Sequence, residues 1–398
     1  MRLMRESLPK VLVVFLTLEG VAFGVAACSS GDDAGPPAPD GGALDEASTT
    51  EDAGAADGDA GLPDGAPRVC SDQNFCHTAL PVEATLRGVW GHGAIVWAVS
   101  EQGDVLRWDG AAWKVHASAL GALYAIWGSS ETDIWIGGQG GLFHGTGATS
   151  QAVTFESVTT PGDEEIPIRS IWGAGAGDVW AVGGNVDDAT YMPRARVLRG
   201  RAADAGASWS VDPLSSEPLA FSRVWGDNAG GVWIAGDDGS DFAQSSGVYR
   251  RAPGADAFEG VAVSAYNDEE GPMQGGPGTL HAGGTGADGR IVLTGRTLSA
   301  TPSFWFGAAT GDAWSYEARD LNDPPLRAVW GIDGGATWVA GDYGRLRSWS
   351  GTEWKQAAIM VADFPVIEPL YAMWGTKADD FWIVGKNIAM HRMPRTAP

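Results

Sequence analysis

The chain is poor in the residues from which most metal and catalytic sites are built. It holds 3 Cys, 6 His and 5 Lys in 398 residues. The histidines, at 77, 92, 116, 144, 281 and 391, show no metal-ligand spacing, and no second Cys pair accompanies Cys70 and Cys76. Neither a metal site nor any cofactor is therefore expected. Basic charge is scarce as well: 26 Lys and Arg stand against 50 Asp and Glu, a net charge of −24. Phosphate backbones are bound by basic faces, so a nucleic-acid partner is excluded. Beyond the first residues no long segment repeats its apolar positions every 3.6 residues, which leaves little room for helices. Glycine (58) and tryptophan (19) are plentiful, and all 19 Trp lie between Trp90 and Trp382.

Residues 1–27 read as a targeting segment. Arg2, Arg5 and Lys10 flank the start of an apolar run, Val11 to Leu18, and Val25-Ala26-Ala27-Cys28 follows. The segment resembles the bacterial lipoprotein signal peptide, with one departure, the charged Glu19. The resemblance implies that Cys28 becomes the first mature residue and carries acyl chains. Several chains hold a protein on a membrane where one chain is marginal. Ser29, in place of an aspartate, resembles an outer-membrane sorting signal. The expected location is thus exported and lipid-anchored, at the outer membrane or cell surface. Residues 29–66 hold ten acidic residues, no basic one and no aromatic one. Such a composition buries too little apolar surface to offset ordering entropy, so 28–66 is expected to be a disordered, self-repelling acidic tether. Cys70 and Cys76 remain as an even pair, which outside the cytoplasm is expected to form a disulfide.

From residue 86 the sequence repeats. Leu86-Arg-Gly-Val-Trp90-Gly91 recurs around Trp127, Trp172, Trp225, Trp330 and Trp374, each followed by Gly. A second Trp follows at Trp97, Trp135, Trp180, Trp233, Trp338 and Trp382. The interval from Trp225 to Trp330 is two periods long, so a degenerate copy is placed at Leu280 to Trp314. Each copy reads as short apolar strands separated by Gly-rich turns. Four strands per unit and seven units of roughly 45 residues describe an all-β fold: a monomeric seven-bladed β-propeller of four-stranded antiparallel blades over 67–398. A sandwich does not repeat one sequence seven times. Ring closure removes the open edge that would aggregate. The seventh copy ends at Ile388 to Arg392 without a fourth strand, and Phe75-Cys-His-Thr-Ala-Leu80 is the candidate substitute. Residues 74–82 are therefore expected to pair with the last blade as a clasp.

The pattern resembles the Trp-rich, multi-bladed propellers of bacterial surface lipoproteins, whose repeats are similar in look to sialidase-type (Asp-box) repeats. The Asp-box runs Ser/Thr-x-Asp-x-Gly-x-Thr-Trp. Asp204-Ala-Gly206-Ala-Ser208-Trp209 matches its second part, with Ala202 in place of the leading Ser or Thr. Asp333-Gly-Gly335-Ala-Thr337-Trp338 also matches, at a different place in the repeat. Such boxes staple turns, so the resemblance implies a fold and no particular chemistry.

In a propeller, ligands meet the face where the inner strands begin. The residue after the first Leu or its equivalent reads Arg87, Tyr124, Arg169, Ser222 (with Arg223 next), His281, Arg327 and Tyr371. Arg87, Tyr124, Arg169, Arg223, Arg327 and Tyr371 are the candidate ligand-binding residues. Arg presents a planar donor fork that fits carboxylates and sulfates, and Tyr stacks on sugars. The turn after the second strand adds Glu101, Gln139, Asp237, Asp342 and Lys386 on the same side. The competing structural explanation is that Arg, which outnumbers Lys 21 to 5, pairs with a neighbouring blade's carboxylate. Asp133, Asp178 and Asp379 recur before the second strand and are expected to bond local backbone N–H groups. The glycines are expected at turns.

The expected function is non-enzymatic: an envelope or cell-surface binding module for a protein or an extracellular glycan. The alternative is a sialidase-like glycoside hydrolase. It would need Arg87, Arg169 and Arg327, with Tyr124 or Tyr371 as nucleophile and an added acid, in tight geometry. A protein scaffold would use loops such as 237–247 and 265–289; a glycan binder or enzyme would use the Arg/Tyr mouth.

Overall fold

A computed structural model describes residues 69–394, apart from 204–205, 241–244, 264–265, 268–270, 273–276, 298–299, 311–312 and 321–322. The leader, Cys28, the tether, part of the 204–209 box and parts of loops 237–247 and 265–289 lie outside the described residues. The chain divides into residues 1–61 and 62–398, and every described residue belongs to the second unit.

Seven four-stranded antiparallel sheets follow one another along the chain. Blade 1 comprises Leu86–His92, Ile95–Ser100, Val105–Trp108 and Trp113–Ala117. Blades 2, 3, 4 and 6 start at the inner strands Leu123–Ser130, Ser170–Gly175, Ala220–Gly226 and Leu326–Trp330. Blade 5, the degenerate copy, comprises Pro277–Thr285, Ile291–Thr297, Pro302–Thr310 and Ala313–Asp320. Blade 7 takes Leu370–Lys377, Asp380–Gly385 and Ile388–Arg392 from one end of the unit and Phe75–His77 from the other.

The twin tryptophans face each other across the two inner strands. Trp90 pairs with Trp97, Trp127 with Trp135, Trp172 with Trp180, Trp225 with Trp233, Trp330 with Trp338 and Trp374 with Trp382. In blade 5 the equivalent pair is Gly284 and Val292, which is why that copy is hard to see in sequence. The glycine after the inner Trp is a strand residue, not a turn, in every blade with an inner Trp but the sixth, where the strand ends at Trp330. A Cβ on Gly91, Gly128 or Gly173 would meet the ring of Trp374, Trp90 or Trp127, the inner Trp of the preceding blade. The Trp-Gly dipeptide thus lets one blade's indole lie flat against the next blade's backbone. Buried side chains form seven clusters among the described residues, each shared by two neighbouring blades. The core is therefore a ring of interfaces.

The ring is closed by an antiparallel ladder: Phe75 faces Arg392, Cys76 faces His391 and His77 faces Met390. This strand is shorter than the expected 74–82. Thr78 adds two bonds to the Ala389 carbonyl, and Pro81, three residues on, has no N–H to give a ladder. Phe75 is fully buried against Trp338 and Phe381. A disulfide joins Cys70 to Cys76 at the entry of the strand.

The recurring aspartates act differently from expectation. Asp133 accepts from His144 Nε2 at 2.6 Å, and Asp178 takes Arg199 in two bonds at 2.8 and 3.0 Å. In blade 7 the residue that pairs is Asp380, with His391 at 2.8 Å, rather than Asp379. Each partner stands opposite the second-strand Trp: His144 stacks on Trp135 at 4.0 Å, His391 on Trp382 at 4.2 Å, and Arg199 lies 4.9 Å from the Trp180 ring. The register places the His or Arg, the indole and the carboxylate together, so the aspartate staples the second strand to the third.

Candidate functional site

The inner strands begin with a β-bulge. In blade 1, Leu86 pairs with Ser100 and Gly88 with Val99, leaving Arg87 as the extra residue. The same shift leaves Tyr124, Ser222, His281, Arg327 and Tyr371 unpaired in blades 2, 4, 5, 6 and 7. A bulge bends its strand and re-aims one side chain. Repeated around a ring, it directs side chains toward one axis.

Arg87, Tyr124, Arg169, Arg223, Arg327 and Tyr371 all line one central channel, a cavity of about 440 Å³. Six candidates distant in sequence thus share one space. Ser222 and His281 do not line it. His281 faces a small gap with Thr294, Arg296 and Asp323. Arg223 stands one position after its bulge, where five other blades carry Gly or Ala, and its guanidinium lies across the starts of blades 5 and 6. It donates to the carbonyls of Ser222, His281 and Arg327 at 2.9, 3.0 and 3.3 Å.

Two of the four arginines have carboxylate partners. Arg87 bonds Glu101 through Nε at 2.7 Å, and Arg327 holds Asp342 in a two-bond fork at 2.5 and 2.7 Å. Both carboxylates come from the same blade as their arginine, not from a neighbour. Arg169 and Arg223 have no carboxylate partner among the described residues. The tyrosines hold guanidinium planes in place. The Arg87 Cζ lies 3.8 Å from the centre of the Tyr371 ring and the Arg169 Cζ 4.3 Å from that of Tyr124. Each ring therefore has one face covered by a cation.

Electrostatics follows from this crowding. Burial, then repulsion from Arg327, Arg87 and Arg169, pushes Arg223 down to about 10, so it stays charged at neutral pH. The fork to Asp342 holds Arg327 above its ordinary value. Burial, with Arg327 and Arg296 nearby, brings His281 down to about 4 and leaves it neutral at pH 7. Asp237 is raised by burial, and its two oxygens accept from the N–H groups of Leu280 and Gly239. The channel mouth is thus a concentration of positive charge on a chain of net charge −24. A positive field of this kind attracts anions, and an Arg fork is the geometry of a bidentate donor to a carboxylate or sulfate.

The sequence reading found the ring but not its surroundings. The channel wall also includes Trp172, Trp225 and Trp330. Two turns near the mouth carry exposed tyrosines, Tyr191 and Tyr343, whose only sequence signal is a large residue where a turn favours glycine. Among the described residues no three His, Cys, Asp or Glu side chains group closely enough to hold a metal ion.

No protein-family model matches the sequence, and no curated protein matches it. Solved structures do resemble it in fold. YCF48 bound to D1 peptide aligns with a TM-score of 0.57 at 17% identity, over 83% of this chain and 100% of that one. PorZ, an essential bacterial surface component of the type-IX secretion system of Porphyromonas gingivalis, gives 0.59 at 12% identity, over 79% of this chain and 47% of that one. The extracellular domain of BT3049 from B. thetaiotaomicron gives 0.56 at 14% identity, over 78% and 39%. At these identities the likeness is one of fold.

Proposed function

We propose that this propeller is a non-enzymatic binding module whose channel mouth receives an anionic group, carboxylate or sulfate, of a protein or glycan partner. The observation that carries this reading is the imbalance at the mouth: four arginines line one cavity and two carboxylates answer them. Gathering like charges is unfavourable for folding. Arg223 is held by three carbonyls and by the charge of Asp237, so it is Arg169, with no carboxylate partner among the described residues, that is best explained by what it binds. A catalytic role has less support. Among the described residues, the acids on the mouth side are engaged: Glu101 and Asp342 are bonded to Arg87 and Arg327, and Asp237 to backbone N–H groups. The leader and tether complete the proposal: lipid on Cys28 anchors the module at the outer membrane or cell surface, and the acidic spacer holds it off the bilayer. YCF48 and PorZ, a peptide-bound propeller and a surface component, are consistent with such a role.

The test is calorimetric titration of the full chain with hexaglutamate, sialyllactose and a heparin hexasaccharide, beside Arg169→Ala. Saturable binding of one probe that weakens about tenfold or more in the variant is expected. Silence toward all three would contradict the reading.

A further inference from the structure

The channel does not stand alone on its face. Among the described residues, four large apolar side chains are more than two-thirds exposed: Tyr191 (80%), Phe364 (76%), Tyr343 (75%) and Ile367 (68%). Single exposed apolar residues are ordinary, but these share the side on which the inner strands begin. Tyr343 follows Asp342, the partner of Arg327. The Gly344 N–H bonds the Glu368 carbonyl, which ties that turn to the segment carrying Phe364 and Ile367. Ile367 lies four residues before Tyr371 of the channel. Tyr191 belongs to blade 3, on another part of the ring. There the second and third strands continue past Gly183 through three more pairs, to Val186 and Pro193. At about 3.3 Å per residue this lifts the hairpin roughly 10 Å beyond the usual turn.

Two features mark the tyrosines as presented rather than left over. Tyr191 and Tyr343 have φ of 56° and 55°, the left-handed region that bulky residues avoid. Gly103, Gly141, Gly239 and Asn387 take that conformation at the equivalent turns of four other blades. A tyrosine there carries a conformational cost with no packing in return. The blade 3 hairpin is also braced. Arg194 reaches Asp163 at 3.1 Å, Asp187 at 3.3 Å and Asn185 at 3.2 Å, and Asp187 accepts from the N–H groups of Ala189 and Thr190.

We infer that the mouth face docks a polypeptide, with a carboxylate entering the arginine ring while apolar side chains beside it pack on Tyr343, Phe364 and Ile367 and on Tyr191. The inference rests on the proposed anion site and names its occupant. A peptide is favoured over a glycan on two grounds. Ile367 offers no aromatic face to a sugar, yet suits an apolar side chain. The channel tyrosines, which could have stacked a sugar, already lie against Arg87 and Arg169. Apolar anchors around a charged centre are how peptide interfaces gain both affinity and register.

The experiment is an array of random dodecapeptides, printed once as free acids and once as C-terminal amides, probed with the full chain. It is repeated with Arg169→Ala and with Tyr343→Ser/Phe364→Ser, whose substitutions are on the surface and whose folding is checked by melting. Retained peptides should combine an acidic group with aromatic or aliphatic residues, and both variants should weaken them by roughly tenfold. Loss on amidation assigns the carboxylate to a chain terminus; retention assigns it to Asp or Glu side chains. Peptides bound equally well by Tyr343→Ser/Phe364→Ser would overturn the docking surface. No retained peptide, with a sialylated or sulfated glycan bound in an Arg169-dependent way, would overturn it and leave the anion site standing. Silence toward peptides and glycans alike would remove both.

Discussion

Replacing Phe75 with alanine isolates ring closure. The side chain is fully buried and belongs to the cluster between blades 6 and 7, with Leu346, Ile359, Phe381 and Met390. Its ring meets Trp338 at 5.6 Å and Phe381 at 5.9 Å, both edge to face, and the Arg392 guanidinium carbon lies 5.5 Å from it. Truncating a buried Phe to Ala removes about 3–5 kcal/mol, and the lost aromatic pairs belong at the upper end of that range. Domains of this class hold about 5–15 kcal/mol in total, so the closure residue alone carries a large share. At about 2.1 cal/mol/K per residue, a folded unit of about 330 residues has an unfolding entropy of about 0.7 kcal/mol/K, so a fall of about 4–7 °C is expected. Calorimetry of the full chain reads it directly. Val82→Ala, at a partly exposed position beyond the clasp strand, is the control and should move the midpoint little. A Phe75→Ala midpoint within a degree or two of wild type would refute the idea that this strand closes the ring.

Further consequences concern packing and pH. Gly128→Ala places a Cβ 2.6 Å from ring carbons of Trp90, too close without movement of a buried indole, and should destabilise the chain by about 1–3 kcal/mol in denaturant titration. Gly93→Ala, where a Cβ meets nothing within 4 Å but φ is +59°, should cost only the backbone preference, about 1 kcal/mol. His281 falls from 6.5 to about 4 on folding, so between those values the unfolded state binds the extra proton. Its contribution is fully present above pH 6.5 and is lost as pH falls through 4, on the order of 3 kcal/mol in all. His281→Gln should flatten the fall in melting temperature over that window, and an unchanged slope would show that His281 is not held neutral by the fold.

The repeat made the architecture legible because each blade solves the same packing problem with the same residues. The inner Trp, its Gly and the second Trp are visible as a period, and the structure gives the cause: a cross-strand indole pair and a seat for the next blade's backbone. Where Gly284 and Val292 replace the indole pair, the copy faded from sequence while the blade persisted. The mouth was legible for a related reason, since the residue after the first Leu is the bulge residue in most blades. It failed at Ser222 and His281, because Arg223, one place later, spreads its guanidinium over the backbone there. The aspartates of the second strand were misread because their partners, His144 and Arg199, lie on the third strand, and only the register brings them together. The exposed tyrosines were invisible because they break the turn preference that sequence reading relies on.

The most direct test of the central claim is a comparison of two arginines. Arg169 lies at the mouth with no carboxylate partner among the described residues, whereas Arg319 is paired with Glu317 on the outer strand of blade 5. Each alanine variant removes one positive charge. Titrating wild type, Arg169→Ala and Arg319→Ala with the tightest of the anionic probes, at low and at physiological salt, separates a site from a general field. A charge-assisted hydrogen bond contributes about 1.5–3 kcal/mol, so Arg169→Ala should weaken binding roughly tenfold to a hundredfold while Arg319→Ala changes it by less than about twofold. Equal losses in both variants, or none in either, would contradict an anion site at the mouth of this propeller.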